Sequence, residues 1–256
     1  MNSNVQPLRS VTVERYVTPL REGGSMPAVV EADDLGLYVL KFRGAGQGVR
    51  ALIAEIIAGG IARALGLPVP EIVLADLNTE LARTEPDPEI QDLIRASGGL
   101  NVGLDYLSGA VNFDPAADAV AADFATRLVW FDALVSNVDR TARNTNLLMW
   151  HGRPWLIDHG ASLTFHHAWD GAVADPGKPF DPIAEHVLLP YASGLAQADA
   201  ELAERLAPVV LQAIVAGVPQ GFLDEAGVDG AAYTGYFQAR LDDRSRWLQG
   251  VIDARG

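Results

Sequence analysis

Asp139, Asn144 and Asp158 are the residues whose types and spacing bear most directly on chemistry. They lie in the stretch SNVDRTARNTNLLMWHGRPWLIDHG, residues 136–160. Asp139 and Asn144 share a polar loop after a long apolar run, and Asp158 ends the second arm of a hairpin. Phosphoryl transfer asks little covalent work of a protein. Cations must neutralise phosphate charge, and one group must orient the attacking hydroxyl. A carboxylate at a strand end and a loop amide offer hard oxygen ligands to magnesium. A second carboxylate in the loop can accept the hydroxyl proton. The pattern assigns Asn144 and Asp158 to metal and Asp139 to the base. Asp and Asn are also common turn residues; the hairpin with Asp158 at its end is what argues for chemistry here.

Lysine occurs only twice, at Lys41 and Lys178. Lys41 stands in the apolar strand-like run YVLKFRG, residues 38–44. A buried ammonium is costly without a partner. Glu55 is the only acid in the apolar stretch 51–62 and would itself need a partner. These two charges are expected to pair, strand to helix, with Lys41 facing phosphate as a point charge.

The elements that must position these residues follow from pattern. Residues 11–17 alternate as a strand. Runs 26–31 and 37–42 form two strands about the turn Asp33-Asp34-Leu35-Gly36. A glycine-containing connector, 43–48, leads into a helix over 49–65, which Gly66 and Pro68 terminate. Strands are expected at 70–77 and 100–107, with a short helix at 86–97 between them. The second half predicts helices at 115–136, 195–216 and 229–254, and short strands at 146–150 and 154–158 about the turn His151-Gly152-Arg153. Strand-rich then helical order implies an α+β fold: an antiparallel-sheet N-terminal lobe over 1–105, carrying the helix 49–66, and a helical C-terminal lobe over 106–256.

The residues NVDRTARN, the hairpin after them and the closing LID resemble the catalytic and metal-binding segments of HipA-like kinases. That family is distantly similar to phosphatidylinositol 3/4-kinases and protein kinases. Its loop usually reads Asp-Arg-His-x-x-Asn; this chain keeps Asp139, Arg140 and Asn144 and has Thr141 where the histidine stands. The resemblance implies a bilobal protein-kinase-like fold with ATP and Mg2+ as cofactors. It makes Lys41, with Glu55, the phosphate-binding pair. It also places Gly23, Gly24 and Ser25 in a loop over the nucleotide phosphates, and Asp105 and Tyr106 in the hinge beside adenine. The acceptor it implies is a serine or threonine hydroxyl on a protein. A small-molecule kinase is the alternative, although such enzymes show His-Gly-Asp where this chain has Asn137-Val138-Asp139. A nucleotide-binding pseudokinase would lack one of Lys41, Asp139, Asn144 or Asp158, and all four are present.

Composition bounds the remaining classes. Hydrophobic residues make up 49% and charged residues 20% of 256, as in folded proteins. The formal net charge of −14 repels nucleic acid and anionic membrane surfaces, and the arginines form no basic patch. There is no cysteine, hence no disulfide and no thiolate metal site. His166 and His167 are adjacent and diverge, so they form no metal pair. No signal peptide and no apolar run of membrane length are read, so a cytoplasmic enzyme is expected.

Overall fold

The computed structural model describes residues 6–20, 26–46, 48–169 and 175–256. Its first part is rich in strands and its second in helices, an α+β arrangement. Five strands come first: β1 (Arg9–Pro19), β2 (Ala28–Ala32), β3 (Leu37–Lys41), β4 (Ile72–Leu77) and β5 (Gly99–Asp105). Their order is β1-β2-β3-β5-β4, and β4 returns to β1 to close a barrel.

That closure corrects the expectation of an antiparallel sheet. Every neighbouring pair is antiparallel except β1 and β4, which run parallel. The cause is β1 itself. Its first residues, Arg9–Val13, pair with Val73–Leu77, and its later ones pair with Ala28–Ala32. Register shifts between Val13 and Arg15 and between Tyr16 and Thr18 bend it from one partner to the other. Val11, Val13, Val30, Leu40 and Val73 fill the interior. Helix α2 (Pro88–Ala96), capped by the Asp87 side chain, adds Ile90, Leu93 and Ile94 to this cluster.

The hairpin turn between β2 and β3 forms where it is expected, with Leu35 at φ 64 and Gly36 N–H donating to Asp34 Oδ1 at 2.9 Å. A Cβ on Gly36 would meet the Tyr38 ring at 2.8 Å, which is why glycine is required there. Helix α1 (Val49–Ala64) is apolar nearly all round and correspondingly buried. It packs on β5 but also on the helices of the second part, so it belongs to the larger of the two cores. Two mid-helix glycines permit this: a Cβ on Gly59 would collide with Ile72 of β4, and one on Gly60 would meet Ile214 at 2.7 Å.

The second part departs from expectation at its breaks. Helix α3 spans Ala122–Val135 and starts later than predicted. Asp114 instead closes a turn over 114–118, its side chain accepting from Ala116 N–H. A short strand β6 (Val111–Asn112) pairs with the predicted hairpin of β7 (Leu147–Trp150) and β8 (Arg153–Leu156). The run 195–216 divides into α4 (Leu195–Arg205) and α5 (Pro208–Val215). Pro208 offers no N–H and keeps the preceding residue out of helical geometry. An unpredicted α6 (Gln220–Ala226) precedes α7 (Gly230–Asp242), and α8 (Arg244–Arg255) follows a break at Asp243.

Candidate active site

Three elements converge on Asp158. Strand β3 ends at Lys41, whose Nζ lies 2.7 Å from Asp158 Oδ2. Lys41 is 12% exposed and Asp158 37%, so the pair borders solvent without lying open to it. Burial on its own would raise the Asp158 pKa. The charge and hydrogen bond of Lys41, then His159 and the Gly160 amide, outweigh it and hold the carboxyl below the ordinary carboxylate range. Asp158 sits just past β8 at φ 54, a left-handed conformation uncommon for a residue with a side chain.

Helix α1 supplies the restraint on that conformation. Glu55 Oε2 accepts from the His159 main-chain N–H at 2.9 Å, and Glu55 Oε1 lies 3.2 Å from His159 Nδ1. Both side chains are buried, so the Nδ1–H tautomer faces the carboxylate. The expected Lys41–Glu55 pair is therefore corrected. Lys41 bonds the strand-end carboxylate, and Glu55 holds the peptide that follows it. Glu55→Ala leaves two buried His159 donors without an acceptor and should cost about 1–3 kcal/mol in urea unfolding. Glu55→Gln retains one acceptor and should cost less than half as much. Equal losses for the two variants would contradict this role.

Asp139 is half-buried in the loop after α3. Its main-chain N–H donates to Asn137 Oδ1 at 3.0 Å. Asn146 Nδ2 donates to its carbonyl at 2.7 Å and lies 3.3 Å from its Oδ2. Asn144 is exposed. Its carbonyl accepts from Thr141 N–H at 2.9 Å and its N–H donates to Thr141 Oγ1 at 3.3 Å, so the loop closes through the main chain and the Thr141 hydroxyl. The Asn144 amide group makes no hydrogen bond among the described residues and is available to a ligand.

A fully buried network lies beneath the loop. Asp132 of α3 accepts from Arg140 Nε at 2.6 Å, His186 Nε2 at 2.9 Å and Asn137 Nδ2 at 2.9 Å. His186 Nδ1 accepts from Leu188 N–H, so its proton is on Nε2, facing Asp132. Burial would raise the Asp132 pKa; Arg140 and His186 override that and keep it low. Arg140 then reaches the Asn146 carbonyl at 2.6 Å.

Asp105 and Tyr106 were expected to face a base through backbone groups. Their N–H groups already donate to the Glu71 and Leu37 carbonyls, at 2.8 and 2.9 Å. Main-chain pairing at the barrel edge therefore takes both of these donors. Gly23, Gly24 and Ser25 lie outside the described residues. A cleft of about 1320 Å3 lined by Arg63, Ile72, Arg205 and Ile214 contains none of these residues. Charge and donor chemistry, rather than cavity size, mark the candidate site.

The donor set suits a hard cation shared with a ligand. No group of three or more His, Cys, Asp or Glu able to hold a metal occurs among the described residues. Magnesium is commonly held by one or two carboxylates together with substrate phosphates. Asp158 with a loop amide, beside a lysine, fits that description.

A family model described as HipA-like kinase matches residues 13–173, which include Lys41, Glu55, Asp132, Asp139, Asn144, Asn146 and Asp158. The chain belongs to the HipA-like kinase family. Solved structures agree on the fold of this HipA-like kinase. The Helicobacter pylori proinflammatory kinase CtkA superposes with a TM-score of 0.57 at 14% identity, covering 97% of this chain and 98% of its own. The Golgi casein kinase, solved with Mn/ADP bound, gives a TM-score of 0.51 at 13% identity over 99% of this chain and 75% of its own. No curated protein matches the sequence. No helix of the described residues is long and apolar enough to cross a membrane.

The site of this HipA-like kinase includes residues that sequence reasoning missed. Asp132 is an acid inside an apolar helix, the same signal that singled out Glu55. Asn146 and His186 carried no such signal, because a lone Asn in a turn and a lone His in a loop are ordinary.

Proposed function

We propose that this HipA-like kinase transfers the γ-phosphoryl group of ATP, with magnesium, to a serine or threonine hydroxyl of a protein. The observation that carries the reading is the Lys41–Asp158 contact at 2.7 Å. It brings the one lysine of the barrel to the strand-end carboxylate beside the loop of Asp139. In this reading the barrel part (1–105) and the helical part (106–256) are two lobes, and nucleotide lies between them near Asp105 and Tyr106. Bound magnesium would neutralise phosphate charge as it develops.

The chain's own groups would divide the work. Lys41 Nζ binds phosphate oxygen, while Asp158 and Asn144 offer oxygen ligands to the cation. Asp139 accepts the proton of the acceptor hydroxyl as the oxygen–phosphorus bond forms and the bond to the leaving diphosphate breaks. Val138, 43% exposed, flanks the base, so a hydroxyl can approach over an open surface as a protein side chain does. A small-molecule hydroxyl is the other acceptor class. The acidic chain argues against nucleic acid or a membrane as partner, and the absence of cysteine accords with a cytoplasmic setting.

The test is calorimetry of ATP binding with and without magnesium, alongside transfer of labelled phosphate to lysate proteins. The parent should bind in a magnesium-dependent way. Lys41→Met should weaken binding by at least ~10-fold, the scale of one charge-assisted contact. Asp158→Asn should lose the magnesium dependence. An Asp158→Asn protein that bound Mg-ATP like the parent would remove the metal assignment and the reading with it.

A further inference from the structure

Asn146 immediately precedes β7 in a left-handed conformation, φ 46, and is 9% exposed. Its carbonyl and its side-chain amide nitrogen are each engaged in a way that joins two parts of the site. Its carbonyl accepts from Arg140 Nη1 at 2.6 Å and from Ile157 N–H at 3.1 Å, the residue before Asp158. Its amide nitrogen faces two oxygens of Asp139, the carbonyl at 2.7 Å and Oδ2 at 3.3 Å. Both are acceptors, so the orientation of the amide is fixed: only nitrogen can face them.

Arg140 is anchored in turn on buried Asp132 at 2.6 Å. The base loop and the strand leading to the metal-side carboxylate therefore meet at one residue. A loop carboxylate has free χ rotation unless something holds it, and misplacement by about 1 Å can cost ~10²-fold in rate.

We propose that Asn146 is a positioning residue for phosphoryl transfer: its amide holds the Asp139 carboxylate in place relative to Asp158. This rests on the phosphotransferase reading above and assigns Asn146 no contact with substrate. The proposal separates two roles that the residue could have. As a turn residue, Asn is suited to left-handed backbone, and glycine would serve as well. As a positioning residue it must supply the amide donor, which glycine lacks.

The experiment compares Asn146→Gly and Asn146→Asp with the parent in steady-state ATP turnover, Mg-ATP calorimetry and thermal unfolding. Glycine keeps the backbone and its carbonyl bonds. Aspartate keeps the shape and tolerates positive φ but presents a carboxylate to Asp139. Both should lower kcat by ~10- to 10²-fold while the Mg-ATP dissociation constant stays within about threefold, the pattern of a group acting in the transition state alone. Asn146→Gly should melt near the parent. Turnover of a folded Asn146→Gly or Asn146→Asp within about twofold of the parent overturns the proposal while leaving the kinase reading intact. Failure of both variants to fold overturns it too, by making the amide a stability group. A parent without magnesium-dependent turnover sinks the kinase reading and this inference together.

Discussion

Asp139→Asn is expected to bind Mg-ATP like the parent and to turn over at least ~10²-fold more slowly, the low end of general acid–base assistance. The split follows from geometry. Asp139 makes no bond to Lys41 or Asp158, the groups assigned to phosphate and metal; its hydrogen bonds run to Asn137 and Asn146. In the proposed reading, removing its charge leaves the groups assigned to nucleotide in place and removes only the assigned proton acceptor. The amide also keeps the shape that Asn146 packs against. Asp158→Asn should fail differently, losing binding and turnover together, since its carboxylate is the one in contact with Lys41. Single-turnover kinetics with labelled ATP, paired with calorimetry, separates the two. Full turnover by Asp139→Asn would remove the base assignment.

Arg140→Met is expected to destabilise the fold by ~3–5 kcal/mol in urea unfolding, because it strands a buried carboxylate. Arg140 and Asp132 have fully buried side chains, with 2.6 Å between Nε and Oδ2. Without the guanidinium, Asp132 retains only His186 and Asn137. The pair's value is asymmetric. Replacing both residues, as in Asp132→Leu with Arg140→Met, should recover much of the loss, since no charge is left unpaired. The sign of the pH dependence is set by Asp132. Arg140 and His186 hold its folded pKa below the ordinary carboxylate range, so its contribution is complete above that range and fades as pH falls through the lowered value. The gap between parent and variant should therefore narrow in acid. A loss under ~1 kcal/mol at neutral pH, the range of an exposed ion pair, would show that the network carries no such weight.

Much of this was legible in the chain because local rules and the final structure agree. The β2–β3 hairpin follows from its Asp-Asp-Leu-Gly turn, and α1 stops at the glycine and proline that mark its end. Asp158 comes at the end of a short hairpin arm as its pattern implied. Helix boundaries were less legible. Pro208 is a local signal, but Asp243 breaks the last helical run by a geometry that no residue type announces.

Residue type and spacing by themselves determined the α+β order, the family resemblance and the short list Lys41, Asp139, Asn144 and Asp158. They also determined that Lys41 and Glu55, as charges in apolar elements, must each have a partner. Tertiary structure alone decided who those partners are. Spacing along a chain limits which groups can meet, but the packing of α1, with Gly59 against Ile72 of β4 and Gly60 against Ile214 of α5, decides which do. In that packing Glu55 meets His159, and the end of β3 brings Lys41 to Asp158. The same holds for β1, whose bends let it pair with two strands, and for Asn146. Its sequence neighbourhood reads as a plain turn, yet it bonds both Asp139 and the residue before Asp158. Partner choice depends on long-range packing, and no local pattern encodes it.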